Sequence, residues 1–177
     1  MELSDSRVIA ADRGTVWEAL LSADVLKECV PGCQEMHGSA DDGFEAVVVQ
    51  KVGPVKATFK GSVTISDRVE CESLTLSGQG KGGAAGFAKG GAKVRLEEGD
   101  TPGSTVLSYD VEAKVGGKLA QLGSRIIGGF AKKMADQFFT RFQEAVEGPD
   151  ETEEMAEGEA VEGETKKKGW FKRVISG

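Results

Sequence analysis

The chain has 177 residues, with 22 Lys and Arg against 29 Asp and Glu, one His, three Cys and 25 Gly. The length predicts one domain of ordinary size that can fold without a disulfide or a metal. A net charge of −7 argues against a general nucleic-acid-binding protein, and so few His and Cys argue against ordinary hydrolytic or metal chemistry.

The sequence begins with elements that precede a long series of strands. Glu2–Ala10 alternates and predicts a strand. Arg13–Ser22 then predicts a helix with Asp12 as its N-cap, and Asp24–Cys29 a second short helix that ends before Pro31. From residue 44 to 115, apolar and polar residues alternate between glycine-containing connections, which indicates an antiparallel meander with one polar face.

The period changes after Gly117, where apolar residues recur every three or four positions from Leu119 to Val146 and predict one long helix. These elements predict an α+β helix-grip fold, in which a curved antiparallel sheet of about seven strands wraps on the long C-terminal helix. The excess glycine is explained by the curvature. A hollow lined by the inward faces is a candidate ligand cavity. The candidate cavity residues are Phe44, Val48, Gln50, Phe59, Leu76, Leu107, Tyr109, Leu122, Ile126, Phe130 and Met134.

Two polar members of this face allow two interpretations each. Tyr109 and Gln50 could hydrogen-bond a ligand, or they could be core residues whose polar atoms bond to the protein. We expect no catalytic residue and no metal site. Gly78–Gly83 matches GxGxxG, but the following segment alternates as a strand, and the Cys29, Cys33 and His37 series is interrupted by Pro31.

The charge is unevenly distributed along the chain. Residues 1–146 carry −3, residues 147–164 hold nine acids and no base, and residues 165–177 hold five bases and no acid. We predict a ligand-binding domain over 1–147, an acidic disordered linker over 148–165 and a basic amphipathic membrane-binding tip over 166–177. The tip residues expected to bind the membrane are Lys166, Lys167, Lys168, Trp170, Phe171, Lys172, Arg173, Val174 and Ile175.

Several motifs, in order, resemble one family. They are Cys29–Cys33, Lys51–Lys56, Gly80–Gly90, Val115–Arg125 and Ala135–Phe139, and they are similar to those of the CoxG family of carbon monoxide dehydrogenase. The resemblance covers about residues 1–146. It implies the START/SRPBCC helix-grip superfamily and a non-catalytic accessory of a molybdenum carbon monoxide dehydrogenase, or of a related molybdenum hydroxylase.

The resemblance also implies a cargo and a location. Family members are described as tethering the enzyme at the cytoplasmic membrane and as carrying a respiratory quinone. The resemblance therefore implies shuttling of menaquinone or ubiquinone, tethering of the enzyme, or both, with no covalent cofactor and no nucleic-acid partner. With no signal peptide or membrane span in the sequence, we expect a cytoplasmic protein bound peripherally to the inner face of the cytoplasmic membrane. The alternatives are a pure membrane adaptor without cargo and a small-molecule enzyme of the same superfamily.

Overall fold

The computed structural model describes residues 1–148. The chain divides into one unit of Met1–Val146 and a second unit of Glu147–Gly177. The predicted tip, with all its membrane-binding residues, and the predicted linker beyond Gly148 lie outside the described residues. Both stay predictions.

Seven strands form a single antiparallel sheet in the order β1-β7-β6-β5-β4-β3-β2. From β2 to β7, each strand pairs with the next one in the chain, and β7 also pairs with β1. An alternating sequence with short turns favours such an antiparallel arrangement. The strands are β1 (Glu2–Ile9), β2 (Cys33–Ser39), β3 (Gly43–Val52), β4 (Val55–Val69), β5 (Ser73–Lys81), β6 (Phe87–Glu98) and β7 (Thr105–Gly116).

Four α-helices and one 3₁₀ turn complete the described part of the chain. The predicted N-cap is confirmed, because a carboxylate oxygen of Asp12 accepts the Thr15 backbone N–H at 2.9 Å. This bond lowers the pKa of Asp12. The elements are α1 (Arg13–Leu20), α2 (Ala23–Cys29), a 3₁₀ turn (Gly83–Ala85), α3 (Lys118–Gln121) and α4 (Ser124–Glu147).

The helix-grip fold is confirmed, but the expectation of one continuous C-terminal helix is wrong. The chain leaves the helical path at Gly123, whose φ of +90° is a conformation that favours glycine. The predicted helix is therefore split into the single turn α3 and the 24-residue α4. The break separates a short segment from the helix that spans the sheet.

The inward face of the sheet packs into two apolar clusters of unequal size. Twelve buried residues form the large cluster, which joins α1, α2 and the C-terminal half of α4 to the sheet. The small cluster has three buried residues, Val52, Leu119 and Ile127, and lies where the β3–β4 hairpin meets α3 and the start of α4. The sheet and α4 are thus joined by apolar packing at two separate places.

Some glycines of the sheet are required by close backbone approach and others are not. A Cβ built on Gly90 would lie 2.2 Å from the carbonyl oxygen of Glu112, on the neighbouring strand. A Cβ built on Gly80, which faces the same side, has no atom nearer than 3.9 Å. Gly90 permits the tight coiling of β6 against β7, whereas Gly80 leaves space above the sheet.

This difference predicts two unequal substitutions. Gly90→Ala should lower the free energy of unfolding by about 2 kcal/mol or more, because the backbone of β6 must move to admit the methyl group. Gly80→Ala should change it by less than about 0.5 kcal/mol. Denaturant-induced unfolding of both variants measures the two values, and equal losses would contradict this account.

Candidate functional site: the internal cleft

We interpret the region between the two clusters, bounded by the middle of the sheet and by α4, as an internal cleft. Several inward-facing apolar residues of this region stay only half-buried although they face the helix, including Val48, Val63 and Met134. None of these three is packed into either cluster. Half-buried apolar side chains beneath a helix indicate incomplete packing, since a filled core leaves few voids.

A row of glycines forms the floor of the cleft. Gly61 on β4 pairs with Gly80 on β5, and Gly78 on β5 pairs with Gly90 on β6. The nearest atoms to a Cβ built on Gly61, Gly78 or Gly80 all belong to the sheet, and none to α4. The helix therefore does not fill the space that these glycines leave open.

Two adjacent glycines, Gly128 and Gly129, lie in the N-terminal half of α4. Cβ atoms built on them would meet nothing within 4 Å outside the local helix backbone. Gly129 is exposed, so the space beside it is solvent. Both glycines lower the stability of the helix without permitting a close contact.

Five of the candidate residues lie on β3, β4, β5 and α4, around the proposed cleft. Val48 and Phe59 pair across β3 and β4, and Leu76 lies on β5. On the helix, Phe130 borders the small cluster and Met134 lies one turn further on. All five side chains are half-buried and apolar.

Four other candidates are placed differently. Leu107 and Phe44 are buried, at 0% and 2% exposure, and Leu107 belongs to the large cluster. Ile126 is 42% exposed and points outward, while its neighbour Ile127, which was not among the predicted residues, is buried in the small cluster. Leu122 packs against that cluster from the outside of the cleft. The break at Gly123 rotates α4 relative to one continuous helix and accounts for the exchange of the two isoleucines.

Tyr109 lies on β7 where the large cluster borders the cleft. Its ring stacks on Phe139 of α4 with centroids 4.9 Å apart. Within residues 1–148, its hydroxyl makes no hydrogen bond, although the side chain is 3% exposed. Burial raises the pKa of Tyr109, so the group is a neutral donor. A buried hydroxyl without a protein partner favours the ligand-binding interpretation of this residue over the core interpretation.

Gln50 has a structural contact. Its side-chain amide donates to the carbonyl oxygen of Pro31 at 2.5 Å. This bond attaches the α2–β2 connection to β3. The core interpretation of Gln50 is the better supported, because its amide donor bonds to the protein.

The comparisons with known proteins agree with this architecture. The family model for the carbon monoxide dehydrogenase subunit CoxG matches residues 6–147. The chain belongs to the CoxG family. This family comprises accessory subunits associated with carbon monoxide dehydrogenase, and an accessory role is the function that membership supports. No curated protein shows significant similarity in sequence.

Solved structures show the same fold. A conserved protein from Geobacillus kaustophilus is 26% identical with a TM-score of 0.77, over 83% of this chain and 95% of that chain. A START superfamily protein from Mycobacterium smegmatis is 14% identical with a TM-score of 0.63, over 82% and 97%. A protein from Chromobacterium violaceum is 15% identical with a TM-score of 0.61, over 84% and 99%. The fold of this CoxG-family chain is therefore START-like.

The other chemical motifs of this CoxG-family chain do not come together. Cys29 is buried in the large cluster, while His37 is exposed on β2 beside Glu35. Among residues 1–148, no three His, Cys, Asp or Glu side chains are grouped so as to hold a metal ion. The third glycine of the GxGxxG match opens only the 3₁₀ turn before β6, so it provides no helix N-terminus for a dinucleotide.

Two concavities on the outer face of the sheet were not predicted from the sequence. One has a volume of ≈ 350 Å³ and lies on β2 to β5, and the other has ≈ 1140 Å³ and extends from β4 to β1. Both are open and bordered by Lys, Gln, Ser and Glu side chains. They arise from the saddle shape of the coiled sheet, which alternation alone does not reveal. Among residues 1–148, no helix is long and apolar enough to cross a membrane.

Burial makes the Cys29 thiol a probe of the large cluster. Desolvation is the main cause that raises its pKa from 9.0 to about 11. As the pH rises, the unfolded thiol ionises first, while the folded thiol keeps its proton. The contribution of the buried, protonated Cys29 thiol to the free energy of unfolding is therefore complete below pH 9 and is lost between pH 9 and about 11.

We expect the stability difference between the wild type and Cys29→Ala to be constant from neutral pH to about pH 9. It should then change by about 2 kcal/mol in favour of the variant as the pH approaches 11. Denaturant titrations of both proteins at matched pH measure it. A difference that stays constant to pH 11 would mean that Cys29 ionises as readily in the folded state.

Proposed function

We propose that this protein carries a respiratory quinone, menaquinone or ubiquinone, between the cytoplasmic membrane and a molybdenum carbon monoxide dehydrogenase or a related molybdenum hydroxylase. The observation that supports this most is the internal cleft, which is apolar, incompletely packed and floored by glycine. An isoprenoid quinone needs an elongated apolar site, because its tail gains free energy with each methylene removed from water.

The chemistry of the partner explains why a carrier is useful. Oxidation of carbon monoxide with water to carbon dioxide releases two electrons and two protons, which convert one quinone into one quinol. That step takes place on the enzyme. The carboxylate of Asp136, which acts electrostatically on Tyr109, is ion-paired with Arg7 and Lys132. The role proposed for the carrier is to hold and present the quinone.

The polar head of the quinone has one candidate partner in the described part of the cleft wall. The Tyr109 hydroxyl is a neutral donor at the edge of the large cluster, and a quinone carbonyl is an acceptor. The ring would then lie near Tyr109, with the tail directed along the glycine floor toward the small cluster. A single hydrogen bond orients the head without immobilising the cargo.

The C-terminal residues complete the proposal. Residues 166–177 combine five bases with Trp170 and Phe171, a composition that favours an anionic membrane surface. We assign to them the attachment of the carrier to the inner leaflet. Support for this part comes from the sequence alone, because these residues lie outside the described structure.

Cargo analysis tests the proposal directly. The full chain, purified from a quinone-producing host, should yield menaquinone or ubiquinone on extraction with organic solvent and mass spectrometry. Gly80→Leu should abolish this yield, because the side chain projects into open space above β5. Gly80→Ala adds one methyl group at the same position and serves as the matched control that keeps the cargo.

Two results would overturn the carrier. One is wild-type protein that stays empty after incubation with quinone-containing vesicles, which would leave a membrane adaptor without cargo. The other is Gly80→Leu protein that is folded, as judged by its unfolding transition, and still loaded with quinone. The second result would place the cargo elsewhere.

Tyr109→Phe provides a second test. The substitution removes only the hydroxyl, so it should leave the free energy of unfolding within about 0.5 kcal/mol of the wild type. Quinone affinity should fall about five- to tenfold, as expected for the loss of one hydrogen bond. Titration of a short-chain quinone into empty protein measures the affinity. An unchanged affinity would exclude Tyr109 as the partner of the carbonyl.

A further inference from the structure

We propose that the folded domain has its own docking surface for anionic lipid, independent of the C-terminal tip, at the end of the sheet where the small cluster closes the cleft. We call this surface the basic end. The proposal rests on the proposed function and adds that the folded domain itself binds anionic lipid. The basic end comprises Lys51, Lys56, Lys60, Lys81, Lys89, Lys114, Lys118 and Arg125.

The charge pattern behind the basic end is extreme for an acidic protein. Residues 46–66, 73–96 and 113–135 contain 12 of the 17 bases of residues 1–148 and no acid. The fold brings parts of all three segments to one end, because the β3–β4 turn, the β5–β6 connection and the β7–α3 connection all lie there. A domain of charge −3 therefore presents an end without a carboxylate on those three connections.

The strand register places like charges directly opposite one another. Lys51 pairs with Lys56, Lys60 with Lys81, and Lys89 with Lys114. Like charges in such positions destabilise a sheet, and within the described part of the chain none of these lysines forms an ion pair. Lys60 and Lys81 also border the smaller outer concavity with Glu35 and Glu45, and Lys89 and Lys114 border the larger one with Glu2 and Glu112. Lys51 and Lys56 border neither concavity, so an external anionic surface would relieve their repulsion.

The connections at the basic end form one continuous surface. A Cβ built on Gly53 of the hairpin turn would lie 3.5 Å from Ile126 of α4. The 3₁₀ turn packs on both β4 and α3, and Gly86 lies against the backbone of Gly117. The β3–β4 turn, the 3₁₀ turn, α3 and the start of α4 therefore contact one another at this end, beside the small cluster.

Two large apolar side chains project from the same end. Phe87 is 43% exposed, with its ring across Gly116, and Ile126 is 42% exposed on the first turn of α4. Lysines around exposed apolar side chains are typical of surfaces that lie at a lipid interface. Protein interfaces are instead depleted in Lys and enriched in Arg. Seven lysines and one arginine thus favour a lipid surface over an acidic protein.

The experiment compares full-length chains in a background of Trp170→Ser and Phe171→Ser, which weakens the tip equally in all of them. Vesicles of phosphatidylcholine, with or without phosphatidylglycerol, are mixed with each protein and floated. Lys51→Gln with Lys56→Gln should lower the partition onto anionic vesicles roughly ten- to thirtyfold. Arg68→Gln with Arg141→Gln changes the net charge equally at positions away from the basic end and should have little effect.

Phe87→Ser with Ile126→Ser should lower the partition onto anionic vesicles by roughly tenfold. The two apolar side chains are removed from water when they enter the lipid interface, and this favours binding. An equal loss of vesicle binding in the Arg68 and Arg141 control would mean that net charge alone explains the effect and would overturn the proposal. Unchanged vesicle binding of the Lys51 and Lys56 variant would also overturn it. If that variant instead loses binding to the partner enzyme, the basic end contacts an acidic protein surface.

Docking and cargo are separated by measuring both on each sample. Empty protein that still binds anionic vesicles through the basic end would contradict only the carrier function. Quinone-loaded protein whose vesicle binding does not depend on the charge of the lipid would contradict only the docking surface. Extraction of each floated fraction distinguishes these results.

Discussion

The attachment of α4 at its two ends is the constraint on which the rest of this molecule depends. At the C-terminal half, Phe139 stacks on Tyr109 and meets Phe138 and Phe142 edge-on. Arg7 of β1 binds Asp136 at 2.9 Å and lies 5.5 Å from the centre of the Phe139 ring. At the other half only the small cluster, among the described residues, holds the helix. The cleft exists because the helix spans the distance between these attachments.

The sheet could be predicted from the sequence because the patterns that specify its strands and turns involve residues close together in the chain. Alternation fixes which side chains share a face, and glycine and proline mark the turns, so seven strands and their antiparallel order follow. The break at Gly123 could not be predicted in the same way. A helical period continues across it, and only the positive φ, set by packing of α3 beside the 3₁₀ turn, separates the two helices.

The candidate site was predictable in outline and not in detail. Alternation predicts which residues of β3, β4 and β5 share a face, but it cannot distinguish a fully buried residue such as Leu107 from a half-buried one such as Val48. That difference depends on where α4 stops touching the sheet. Likewise, the sequence shows which segments lack acids, but the opposition of Lys51 and Lys56 or Lys89 and Lys114 needs the strand register.

The separation of charge between the two ends of the sheet gives the domain an electric dipole along its strands. The connections at the end opposite the basic end carry acids, among them Asp12, Asp41, Asp42, Glu72 and Asp100. In the field of an anionic leaflet, which extends about one Debye length into solution, such a dipole experiences a torque. If the domain docks as proposed, this torque would turn the basic end toward the lipid before contact.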